Sequence, residues 1–326
     1  MKRILRILQL IRIQNLIIIS LTLYLMRWFI IYPVFSAHGF DLQISNIDFM
    51  RITLAVVFIA AGGYVINDYF DRPVDQINHP EKVIAGIHIS CQTVLLLYSV
   101  FSLMGIVLGT FISIRLELPF LSLIYLFTAV LLFLYSYKIK KVFLAGNIVI
   151  ALLTAFVPLM VLLYEIPLLK KNYAELIVDN SMNFENIIII VGIFSIFSFL
   201  TNYIREVIKD LEDIEGDQQA GRKTMPSVLG IFWSKTIVLI CTLLVIILII
   251  YIYCTHLQYI TVNEKDYLSL AYFLLFIIIP LILMIYLIII SKQKSEFRNV
   301  AHILKFVMVS GLFYSTIFYF KISICL

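Results

Sequence analysis

Nine apolar runs, each near the ~20 residues a helix needs to cross a bilayer core, alternate along the chain with short polar or charged stretches. They fall at roughly 14–35, 51–69, 91–113, 118–137, 143–164, 186–205, 230–254, 267–291 and 301–321. Apolar residues within each run are continuous, whereas the strands of a membrane barrel would alternate, so the pattern predicts helices. The shortest separator is Ile114–Pro119, between the third and fourth runs. The polar stretch from Glu165 to Glu185 reads as a surface loop on the outer side. The expected architecture is all-α, a polytopic membrane protein of about nine transmembrane helices, with residues 1–326 as one integral-membrane domain.

Composition strengthens this picture. Hydrophobic residues make up 62% of the chain, charged residues 14%, and mean hydropathy is +1.02; a soluble domain carries about a quarter charged residues. The bilayer is therefore the main solvent. The first apolar run is long and lacks a small-residue cleavage site, so no cleavable signal peptide is expected. Cys91, Cys241, Cys254 and Cys325 lie in or beside apolar runs without metal-ligand spacing, and the histidines are scattered, so no zinc or haem site is expected. No feature points to a nucleic acid or to a protein partner.

Charge sets the expected orientation. With nine spans, only Arg27, Arg51, Arg115, Lys170, Lys171, Lys265 and Lys321 of the 25 basic residues fall on the side opposite the N-terminus. Basic residues accumulate on the cytoplasmic side. The N-terminus is thus expected in the cytoplasm and the C-terminus outside, in the cell (inner) membrane.

Two acidic stretches interrupt this apolar chain. "VINDYFDRPVDQINHPEKVIAG" carries Asp68, Asp71 and Asp75; "REVIKDLEDIEGDQQAGRKTMP" carries Asp210, Asp213 and Asp217. Both read D-x-x-D-x-x-x-D, both closing aspartates precede a Gln (Gln76, Gln218), and both meet a Pro and a Lys soon after. They follow the second and sixth spans, which places them on one side of the membrane. The spacing reads as an internal duplication converging on one site. On a helix the three aspartates of each copy lie within about 60° of one another. Six carboxylates beside low-dielectric walls repel one another unless a cation joins them. Hard oxygen donors suit Mg²⁺, which shares its coordination with substrate phosphates, and Lys82, Lys138, Arg205, Lys209 and Lys223 are at hand for the remaining phosphate oxygens. The expected site is a clamp for Mg²⁺ and a diphosphate at the membrane surface.

At these residues the chain resembles the UbiA superfamily of intramembrane prenyltransferases. Asn67, Asp68, Asp71 and Asp75 match its N-D-x-x-D-x-x-x-D motif, and Asp210, Asp213 and Asp217 its D-x-x-D-x-x-x-D motif. "RIQN" (Arg12, Asn15) resembles the family's entry to the first helix, and "YSYKIKK" (Tyr135, Lys138, Lys140, Lys141) the element ending the fourth. "REVIKDLEDIEGD" is most similar to the branch of the digeranylgeranylglyceryl phosphate synthases. The departure is Lys82-Val83-Ile84-Ala85-Gly86, where that branch has Arg-Pro-Ile-Pro-x-Gly.

The resemblance implies nine helices around a central cavity with both acidic motifs on the cytoplasmic side. It also implies Mg²⁺-dependent transfer of a polyprenyl group from its diphosphate to a lipid-precursor acceptor such as geranylgeranylglyceryl phosphate. Asn67, Asp68, Asp71, Asp210 and Asp213 are then expected at the metal. Asp71, Asp75, Asp213 and Asp217 are expected to carry catalysis. Arg12, Asn15, Lys82, Tyr135, Lys138, Lys140, Arg205, Glu206, Lys209 and Lys223 are expected to bind substrate. Glu206, one turn before Asp210, serves either as a base toward the acceptor or as an ion-pair partner. Prenylation of an aromatic ring, as in quinone biosynthesis, is the alternative within the family. A divalent-cation transporter is the alternative from another class, because intramembrane acids mark ion paths.

Overall fold

The computed structural model of the protein describes residues 2–173, 184–257 and 266–325. Among these residues nine helices are long and apolar enough to cross a membrane: α2 (Ile13–Ala37), α3 (Asn46–Asn78), α4 (Cys91–Arg115), α5 (Pro119–Tyr137), α6 (Ala145–Asn172), α7 (Glu185–Glu212), α9 (Met225–Thr255), α10 (Tyr267–Ile290) and α11 (Lys294–Ile322). A short α1 (Lys2–Leu10) precedes them, and a six-residue α8 (Ile214–Gln219) follows α7. The predicted spans are all present, and the chain is a multi-pass membrane protein.

Helix length carries the first acidic motif out of the apolar layer. At 1.5 Å per residue α3 is ~50 Å long against a hydrocarbon core of ~30 Å. It starts at Ser45, whose hydroxyl accepts from the Asp48 amide at 3.1 Å, a standard N-cap. It runs without a break through Asp68, Asp71 and Asp75 to Asn78, and Pro80 follows. α3 packs against α4 and α5, α6 against α7, and α7 against α9 and α11; α11 also touches α2. α2 and α11 stand side by side, and both line the central cavity.

The corner between α1 and α2 is made by Arg12, which has φ 51° and ψ 56°. A left-handed conformation costs a non-glycine residue of order 1 kcal/mol or more. The corner is held by the side chain, which reaches Asp68 at 3.0 Å and lies over the Tyr64 ring at 5.1 Å.

Two sequence expectations are corrected. The outer loop does not begin at Glu165: α6 continues to Asn172, and Glu165 is fully buried. Its Oε2 accepts from the Gln43 amide at 2.7 Å, and its Oε1 lies 3.9 Å from Nε of Arg27, itself buried. The carboxylate is inside because a charge 138 positions earlier and a loop amide meet it there. The rest of the proposed loop, 174–183, lies outside the described residues, as does Lys265. The second acidic motif, in turn, is not one helical face. α7 ends at Asp213, with φ −103° and ψ 11°, and the chain restarts in α8.

Candidate active site

The cavity inside the bundle has two adjoining compartments. The larger, about 310 Å³, is mostly apolar and runs from Arg12, Asn67 and Arg205 down to Met26, Val56 and Tyr125. The smaller, about 50 Å³, lies at the motif end. Asn67, Tyr135, Glu206 and Lys209 line both and form the border between them.

The smaller compartment is built by the two motifs meeting. The Asn78 side chain, at the end of α3, donates to the carbonyl of Asp213 at 3.1 Å and accepts from the Gly216 amide at 3.1 Å. A Cβ on Gly216 would stand 2.5 Å from Nδ2 of Asn78, so this approach requires glycine. His79 Nε2 lies 2.9 Å from Oδ1 of Asp213. The compartment is lined by the carboxylates of Asp71, Asp75, Glu206, Asp210, Asp213 and Asp217 and by the cations Lys140, Lys209 and Arg222.

Asp71 is the hub. It accepts from Asn67 Nδ2 at 2.7 Å and from Lys140 Nζ at 2.7 Å, and it pairs with Arg222. Lys140 also donates to Asn67 Oδ1 at 3.1 Å. Burial pulls the Lys140 ammonium down to about 8, against the opposing pull of Asp71. Burial also lifts Asp217 to about 6, although Arg222 draws it the other way. Asp210 accepts from Asn147 Nδ2 at 2.8 Å.

Other expected residues stand elsewhere. Asp68 lines neither compartment and is paired with Arg12. Arg12, Asn15 and Arg205 line the large chamber, where Arg205 pairs with Glu206 at 3.2 Å. Lys138 and Lys223 are exposed and line neither compartment. Lys82 closes a short 3-10 turn, and its side chain lies outside the described residues. Of the three lysines after α5, Lys140 is the one in the site.

Sequence reading missed Arg222, Asn147 and Lys305. Arg222 stands beside the chosen Lys223. The turn that ends α8 brings it inward, with its amide donating to the Asp217 carbonyl at 2.9 Å. Asn147 stands in the first turn of α6, where polarity among apolar neighbours was the available signal. Lys305 lines the large chamber and donates to Oε1 of Gln14 at 3.5 Å.

The donor set suits Mg²⁺. The lining groups are hard oxygen donors, with no Cys and no His among them. No three His, Cys, Asp or Glu side chains among the described residues form a ready-made metal cage. Mg²⁺ takes one or two carboxylates and completes its coordination with water and phosphate oxygens, so acids spread around a pocket fit it better than a closed cage.

The fold and much of the sequence have known counterparts. A digeranylgeranylglyceryl phosphate synthase of Thermococcus gammatolerans is 35% identical over 180 residues, 55% of this chain and 56% of its own length. The match spans little more than half the length of such curated relatives. A solved structure concerned with digeranylgeranylglyceryl phosphate synthase in membranes aligns with 97% of this chain and 99% of its own, at 25% identity and a TM-score of 0.59. The structure of a UbiA homologue from Archaeoglobus fulgidus bound to DMAPP and Mg²⁺ covers 95% of this chain and 99% of its own at 14% identity and a TM-score of 0.53, a likeness of fold. The profile of the UbiA prenyltransferase family matches residues 28–309, and the chain belongs to that family.

Proposed function

We propose that the protein is an enzyme that transfers a polyprenyl group from its diphosphate to a phosphate-bearing lipid precursor such as geranylgeranylglyceryl phosphate, with Mg²⁺ as cofactor. The observation that carries this reading is the border shared by the two compartments. An acidic, polar pocket and a long apolar chamber meet at Asn67, Tyr135, Glu206 and Lys209. A prenyl diphosphate has the same two halves, and its reacting carbon joins them.

In this reading Asp71 from the first motif and Asp213 from the second would hold the metal, with Asn67, Asp75, Asp210 and Asp217 around them for its water ligands. Bound there, Mg²⁺ supplies positive charge to the diphosphate oxygens. Lys140, Lys209 and Arg222 donate to the same oxygens and offset the charge that develops as the C–O bond opens. The bonding pair leaves with the diphosphate. The acceptor hydroxyl oxygen attacks the allylic carbon and forms the new C–O bond, and Glu206, at the border, takes the hydroxyl proton. The chamber walls keep water from the cationic carbon. Asp68 acts from outside by fixing Arg12 at the chamber mouth.

A second set of charges favours an anionic acceptor. Arg12, Arg205, Lys209 and Lys305 line the large chamber against one carboxylate, Glu206. An electron-rich aromatic acceptor needs a flat apolar slot more than this surplus of cations. Cation transport is disfavoured, because the acids stand at one end of the bundle whereas transport sites lie near the midplane. The chain works as one integral-membrane unit in the cell membrane with its motif end facing the cytoplasm, which reporter fusions at Gln76 and at the C-terminus would test. The activity is tested with purified protein, Mg²⁺, labelled geranylgeranyl diphosphate and either geranylgeranylglyceryl phosphate or an aromatic acceptor. Product with the first is expected; product with the aromatic acceptor alone would replace this reading by the other, and metal flux without any transfer would remove both.

A further inference from the structure

The deep end of the apolar chamber is closed by an aromatic ring that is seated and tied. Tyr125, on α5, lines the chamber and is otherwise buried. Its ring lies directly on Gly109 of α4: a Cβ there would stand 2.4 Å from the ring's Cγ. Its hydroxyl is 3.0 Å from that of Tyr164 on α6, which is 2.7 Å from Oγ of Ser113 on α4. Three helices thus fix one ring across the end of the cavity. Beyond it Tyr164 adjoins Glu165, and that carboxylate faces Arg27. This end of the bundle is filled by a packed polar layer.

We propose that Tyr125 is the floor that limits the length of the prenyl tail, an inference that rests on the donor being a prenyl diphosphate. Tyr135, at the border with the acidic pocket, stands ten residues along the same helix, ~15 Å from the floor. On α2, Arg12 to Met26 spans fourteen positions, ~21 Å. An extended isoprene unit, four carbon–carbon bonds of ~1.5 Å each along its backbone, adds roughly 5 Å. The chamber therefore holds three to four units, and a fifth meets the ring. Because the ring is hydrogen-bonded and backed by a glycine, it acts as a stop and does not swing aside.

Two substitutions move the stop in opposite directions. Tyr125→Ala removes it and opens space toward Gly109. Gly109→Ala places a methyl where the ring now rests and pushes the ring into the chamber. General destabilisation would not produce opposite shifts in tail preference.

The test uses the purified full-length chain with Mg²⁺, geranylgeranylglyceryl phosphate as acceptor, and all-trans donors of two to five isoprene units. The unchanged protein is expected to lose about tenfold or more in kcat/KM between the four- and five-unit donors, since a group that a pocket cannot admit is rejected by at least this factor. Tyr125→Ala is expected to remove that drop, and Gly109→Ala to bring it forward to the step from three to four units. Equal use of four- and five-unit donors by the unchanged protein would overturn the proposal whether or not the variants fold. So would a folded Tyr125→Ala with the original profile, because the tail would then leave the chamber by another route. Absence of transfer with every donor would overturn the functional reading itself, and this inference with it.

Discussion

Replacing Lys140 by Gln tests the site at its most exactly placed cation. The Lys140 side chain is 6% exposed and donates to Asp71 at 2.7 Å and to Asn67 at 3.1 Å. Its ammonium lines the acidic compartment, where the proposed reading puts the diphosphate of the donor. With Asp71 engaged by a metal, Lys140 would be free to donate to the phosphate oxygens. Losing one preorganised donor to a developing anion costs ~2.7–4 kcal/mol, or 10²–10³ in kcat. Arg222 still holds Asp71 in the variant, so the fold survives. We therefore expect Lys140→Gln to lower kcat by ~10²-fold, measured by product formation at saturating donor and Mg²⁺. Lys138→Gln, an exposed site outside both compartments, should stay within about twofold. A Lys140→Gln enzyme within twofold of the unchanged protein, or an equal loss at Lys138, would refute the reasoning.

Asp71→Ala and Asp213→Ala should each abolish transfer while the protein still inserts, as judged by yield and elution in detergent; normal turnover in either would remove the clamp. Arg222→Ala should lose at least about tenfold in kcat/KM, whereas Lys223→Ala, one residue on and exposed, should not. At the opposite end of the bundle, Glu165→Ala should destabilise the protein by ~3–5 kcal/mol, because it leaves Arg27 buried without its carboxylate. The double replacement Arg27→Met with Glu165→Leu should recover most of that loss in a thermal unfolding measurement, and a double variant as unstable as the single one would contradict the pairing.

The spans were legible because a bilayer makes length and hydropathy decisive: a run near twenty apolar residues has few other fates. The approach of the two motifs was legible from parity, since the ends of the second and sixth spans must face one side. What escaped depends on contacts between distant residues. Glu165 looked like a loop acid because its partner, Arg27, is 138 positions away. Asp68 looked equivalent to Asp71 by motif, yet the left-handed corner at Arg12 takes it out of the pocket. The break at Asp213 turned the second motif into a helix end and a short α8. That turn exchanged Lys223 for its neighbour Arg222. Lys140 could not be separated from Lys138 by spacing alone, because the 3-10 turn at Ile139–Lys141 decides which side chain enters.

The central claim is that carboxylates from both motifs share one metal and one diphosphate, and titration with inorganic pyrophosphate addresses it most directly. Isothermal calorimetry on the purified protein, with and without Mg²⁺, should show binding only with the metal. Asp71→Asn and Asp213→Asn should each abolish it, and the double variant should be no worse than either single one. Binding that persists without metal, or that survives loss of either carboxylate, would contradict the account.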